Sequence, residues 1–140
     1  MGSVKEARLN ADEIALTLPA DDAFHRVAHL VLGGLATRHE LTVETLDDLT
    51  LALDTVLARY GRHEDDVTVR VRIGEEDVHT EVGPFHHGNV AVDLSRAAGE
   101  TLDLQRILAA VCDDVSVSRR EGGEWVELTK RVERTEGPAA

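Results

Sequence analysis

Residues 67–73 read V-T-V-R-V-R-I, apolar and polar in strict alternation. Side chains of an extended strand point to opposite faces in turn, so this run has one apolar face and one face suited to water. The apolar face demands a covering layer, because an isolated strand or hairpin is marginal in water. Residues 74–77 (G-E-E-D) form a turn signal, and V-H-T-E-V (78–82) alternates back, which predicts a hairpin. Two other places carry the same period. I-A-L-T-L (14–18) is stopped by Pro19, and V-S-V-S (115–118) leads through Gly122-Gly123 into W-V-E-L-T-K-R-V (125–132).

The covering layer has to come from helices. Asp21 or Asp22 can cap a first one, with Phe24, Val27, Ala28, Val31 and Leu35 at the 3.6-residue period. Gly33-Gly34 weakens its last turns, and it should end before Leu41. Thr42 is a good N-cap for a second helix, whose stripe Leu46, Leu49, Leu53, Val56, Leu57 and Tyr60 runs down to Gly61, a natural C′ terminator. Leu104, Ile107, Leu108 and Val111 mark a third. Residues 83–100 are irregular and read as a long loop with a short element near 90–94, a length usually tied to function or mobility. The order predicts an α+β fold: a two-layer α/β sandwich, with a mostly antiparallel sheet of about five strands and three helices on one face. The domain should span 13–132, between mobile ends at 1–12 and 133–140.

At 140 residues the chain is one domain with room for a core, and its 42% hydrophobic and 30% charged residues are those of a globular protein. A net charge of −12 without a basic cluster argues against nucleic acid or an anionic membrane and favours a partner with a basic surface. The single Cys112 forms no intrachain disulfide and reads as a small buried apolar residue. The polar start offers no signal peptide, and no apolar run approaches a membrane span, so a cytoplasmic location is expected.

Seven histidines invite a metal reading. His25 and His29 share a helix face at i, i+4 but flank the apolar stripe. His86-His87 are adjacent and point apart, so the pair chelates poorly. A site joining them to His79 or a nearby carboxylate is conceivable, but no zinc-type spacing occurs and no metal is assigned. The loop histidines near Glu81 could instead sense pH. Ser3, Ser95, Ser116 and Ser118 lack a nucleophile-elbow context, and Walker A and dinucleotide fingerprints are missing.

Four placements together resemble one family. A strand ending L-P-A (18–20) leads into the first helix, and the second helix contains D-D-L-T-L-A-L-D-T-V (47–56). An alternating hairpin ends in E-V-G-P-F (81–85) before a lid-like loop, and the chain closes with D-D-V-S-V-x-x-x-x-G-G-x-W-V-E-L (113–128). Over residues 12–132 the chain resembles the GHKL (histidine-kinase-like, Bergerat) ATPases in their small anti-sigma regulatory factor or serine-protein kinase form. The resemblance implies a nucleotide pocket built from three motifs. On the second helix the family has a Glu base and, four residues on, a magnesium-binding Asn. Here Asp54 takes the first position, as a remnant general base, and Ala58 the second, where a methyl group cannot ligate magnesium. The adenine-binding Asp-x-Gly becomes Glu81-Val82-Gly83. The glycine-rich phosphate loop shrinks to Gly99, followed by Glu100 and Asp103, whose charges would repel phosphate.

The resemblance therefore implies a degenerate pocket lined by Asp54, Ala58, Glu81, Gly83 and Gly99. No cofactor is expected, with ATP and Mg²⁺ the candidates if the pocket is still competent. The implied function is anti-sigma-type regulation by binding a sigma factor or an anti-anti-sigma-like protein, with homodimerisation as relatives do. An active ATP-dependent serine/threonine kinase, and a small-ligand or metal sensor using the histidine-containing loop, are the alternatives.

Overall fold

A computed structural model describes residues 6–9, 13–19, 22–61, 64, 66–95, 102–120 and 122–135. In chain order the elements are β1 (Glu6–Leu9), β2 (Glu13–Pro19), α1 (Asp22–Arg38), α2 (Val43–Tyr60), β3 (Asp66–Ile73), β4 (Asp77–Phe85), α3 (Val90–Ser95), α4 (Leu102–Val111), β5 (Asp114–Arg120) and β6 (Gly123–Arg131). The strands form one antiparallel sheet in the order β1-β2-β3-β4-β6-β5. Helices cover one face, which makes the two-layer α+β sandwich that the alternation demanded.

The period of two decides what the layers share. Ile14, Leu16 and Leu18 of β2, Val67, Val69, Val71 and Ile73 of β3, and Val78 and Val82 of β4 are all buried. Most of them join Leu49, Ala52, Leu53 and Val56 of α2 in one core, with Val126 and Leu128 of β6. Each fully buried Val or Leu contributes about 1.5–3 kcal/mol, and this stripe rather than helix propensity holds α2 on the sheet. Thr42 caps α2 as expected, its hydroxyl oxygen accepting the Thr45 N–H at 3.1 Å.

Several expectations need correction. Residues 6–9, read as part of a mobile end, form the edge strand β1, so the sheet has six strands. The short element read near 90–94 within the long loop is the helix α3, one residue longer than read. Gly61 is right-handed (φ −71°), so it closes α2 without using the left-handed freedom of glycine. The true left-handed position is Glu40 (φ 57°), after α1, where the Leu41 N–H donates to the Ala36 carbonyl at 2.8 Å. Residues 133–135 are tied down rather than loose. The Thr135 N–H donates to the Glu40 carbonyl at 2.7 Å, and Arg134 Nη1 donates to the Glu75 carbonyl at 2.7 Å. Helix α1 runs through Gly33 and Gly34 to Arg38. Asp21, and the side chains of Phe24 and His25, lie outside the described residues, as do the rest of both ends.

Candidate functional site

Helix α2 presents two flanks beside its buried stripe. Asp54 lies on the flank turned to α1, where its Oδ1 is 2.8 Å from Nε2 of His29. Ala58 is exposed. One residue further along the sequence turns the helix by about 100°, and that flank, bearing Thr55 and Arg59, meets the segment after β4. The Thr55 hydroxyl is spent on the Leu51 carbonyl at 2.7 Å. Arg59, Tyr60, His87, Gly88 and Asp93 line a cleft of about 570 Å³.

The cleft is built by long-range contacts. The Tyr60 hydroxyl donates to Asp93 Oδ2 at 2.7 Å, and Arg59 Nη2 lies 3.9 Å from the same oxygen. Burial, then the bond to Asp93, pushes the Tyr60 phenol well above its usual value of 10.0. The Tyr60 ring also packs on Phe85, with centroids 5.6 Å apart. Gly88 sits at φ +86°, a conformation that favours glycine, and faces the Tyr60 ring. Two buried carboxylates hold the segment from below. Glu124 accepts the Val90 and Ala91 N–H groups at 3.0 Å each, and Glu64 accepts the His86 N–H.

Asp54 and Ala58 stand one turn apart on α2, but Glu81 and Gly83 are not brought to them. Glu81 is the clearest correction. Val78 and Val82 face the helices, so period-two alternation turns Glu81 to the opposite face of the sheet. There it is ion-paired with Arg120 and lies 3.7 Å from Arg70 Nη1. Gly83 lies within β4, not in a turn, and a Cβ there would be 2.7 Å from Trp125 Cδ2. It serves the packing of β4 on β6. Gly99 and Glu100 lie outside the described residues, as does the side chain of Asp103.

Arg59, Tyr60 and Asp93 were missed for different reasons. Tyr60 reads as core from its period, and its hydroxyl partner lies 33 positions away. Arg59 is exposed at one edge of the stripe, and Asp93 sits in the stretch read as loop. The alternation of V-H-T-E-V did hold the signal for the placement of Glu81. Elsewhere, burial pushes the Cys112 thiol up to about 11, which fits an inert buried cysteine. No helix among the described residues is long and apolar enough to cross a membrane.

No family model matches the chain. Curated relatives do. The chain is 29% identical over 143 residues to Serine-protein kinase RsbW of Listeria monocytogenes, an alignment covering 86% of this chain and 88% of the relative. It is 27% identical to the protein of that name from Listeria innocua, with the same coverage, and 27% identical over 135 residues to that of Oceanobacillus iheyensis, covering 81% and 83%.

Proposed function

We propose that this chain is an anti-sigma-type regulator that acts by gripping a protein partner, with nucleotide binding weakened or lost. The observation that carries the reading is the Arg59–Asp93–Tyr60 cluster. The groups lining the cleft beside α2 are already committed to one another, and Asp93 puts a carboxylate where a triphosphate would bring more negative charge. Helix α2 contains no asparagine, so the amide that would hold Mg²⁺ in this family has no counterpart on it. Asp54, the remnant of the family's base, is turned to His29 on α1 and does not line this cleft.

The partner is a sigma factor or an anti-anti-sigma-like protein of the cytoplasm, engaged by one chain or a homodimer. Helix α2 offers it exposed Val43 and Leu51 beside Glu44 and Asp47, an apolar surface with an acidic rim. On a chain of net charge −12 such a rim steers a basic partner surface into place. A second reading, an active ATP-dependent serine kinase, is favoured by the chain's likeness to relatives named serine-protein kinase.

Calorimetric titration with ATP and ADP in excess Mg²⁺ separates the two. The regulator reading expects no binding at about 1 mM nucleotide, where the standard binding free energy would be only about −4 kcal/mol. Micromolar binding, with phosphate transfer to an anti-anti-sigma-like protein, would replace it with the kinase. Capture of a sigma factor by the purified chain without nucleotide is the positive expectation, and failure to capture any sigma-pathway protein counts against it.

A further inference from the structure

The face of the sheet turned away from the helices carries its own polar cluster. His79 and Glu81 stand two residues apart on β4, and Glu127 of β6 is the direct cross-strand neighbour of Glu81. One donor atom from each of the three lies within 4.8 Å of the other two. His79 Nε2 is 3.2 Å from Glu127 Oε1, and its Nδ1 is 3.3 Å from the hydroxyl oxygen of Thr129, the residue opposite it in register. The Glu81 side chain is 8% exposed, and its Oε2 is held by Arg120. Its Oε1 lies 3.7 Å from Arg70 Nη1, an ion pair beyond hydrogen-bond range. His79 and Glu127 are 32% and 26% exposed, so the cluster opens to solvent on one side.

We propose that His79, Glu81 and Glu127 form a binding site for a divalent transition-metal ion of the zinc type. One imidazole nitrogen and two carboxylate oxygens are a donor set that zinc accepts, with the fourth position open to water. Zinc–ligand distances of about 2.0–2.2 Å put tetrahedral donors roughly 3.3–3.6 Å apart. The side chains therefore close by little more than an ångström, while the paired strands stay as they are. The outer contacts suit the task. With a metal on Nε2, the Nδ1–H of His79 would donate to the Thr129 hydroxyl oxygen, 3.3 Å away, and Arg120 fixes one oxygen of Glu81. Arg70 and Arg120 oppose a cation, but Glu13, 3.8 Å from Arg70 and 3.2 Å from Arg72, draws part of that charge aside. The site is therefore an open, exchangeable one and not a closed structural site.

The test is calorimetric titration of the full chain with zinc chloride after chelator treatment, with cobalt(II) absorption reporting the ligand set. Expected are one zinc per chain and at least a ~10-fold loss of affinity in His79→Ala and in Glu127→Gln. The double variant H86A/H87A should bind as the parent does. Circular dichroism checks the fold of each variant. Should His79→Ala not fold, the Nε2 shift of His79 in ¹⁵N spectra of the parent on adding zinc replaces it. No binding up to about 1 mM zinc, unchanged affinity in His79→Ala or Glu127→Gln, an unmoved His79 signal, or loss of binding in the loop double variant would each overturn the proposal.

Discussion

Replacing Gly83 with alanine tests whether that glycine serves packing or a ligand. A Cβ at Gly83 would stand 2.7 Å from Trp125 Cδ2, 2.9 Å from Trp125 Cγ and 2.9 Å from the Glu124 carbonyl oxygen. Relaxed carbon contacts lie near 3.5–4.0 Å, so about 0.8 Å must be found. The carbonyl belongs to β6, and moving it disturbs the β4–β6 ladder. The indole is covered by the Arg120 guanidinium, 4.6 Å from the ring centroid, so it has little room to slide. The strain belongs near the upper end of overpacking costs, about 3 kcal/mol. The lower chain entropy of alanine returns about 0.5–1 kcal/mol. The net loss of about 2 kcal/mol lowers Tm by about 6–8 °C in a domain of this size. Thermal unfolding followed by the fluorescence of Trp125, the chain's single tryptophan, reads it directly. An unchanged or raised Tm would refute the packing account and return Gly83 to the role of a residue kept for a bound ligand.

Other positions give equally definite expectations. Glu40→Gly relieves a left-handed, exposed, non-glycine residue after α1 and should stabilise the fold by about 1 kcal/mol, seen as a higher urea midpoint at unchanged slope. Glu124→Gln leaves one of the Val90 and Ala91 N–H groups facing an amide, so α3 should lose about 2 kcal/mol of local stability, read as faster hydrogen exchange at those two amides. The pH dependence has a fixed sign. Burial raises the Cys112 thiol from 9.0 to about 11, and Tyr60 is also raised, so the fold favours their protonated forms. That stability is complete below about pH 9 and is lost as pH rises through the folded-state values. Unfolding free energy should thus fall above pH 9, with Cys112→Ala removing the earliest part of the decline.

How far the sequence could be read follows from the range of each interaction. The alternation in 67–73 and 78–82 and the stripe of α2 are local repeats, and they determined a helix-covered antiparallel sheet without reference to anything distant. The cap at Thr42 was legible for the same reason, since donor and acceptor lie three residues apart. Strand β1 was not legible, because its four residues pair only once β2 is laid beside them. The short element near 90–94 was legible in place but not in kind, since the first amides of α3 are held by Glu124 from 33 and 34 positions away.

The site divides in the same way. A match to a motif can place a residue type in order along the chain, but it does not say which way that residue faces. Rotation about the α2 axis turned Asp54 to His29 and brought Arg59 to the cleft. The pleat of β4 carried Glu81 to the far face, beside His79 and Glu127. Periodicity determines which faces must be buried, because burial is paid residue by residue along one element. Which polar groups then meet is decided only when separate elements pack, since their partners lie tens of residues apart and no local pattern encodes the meeting.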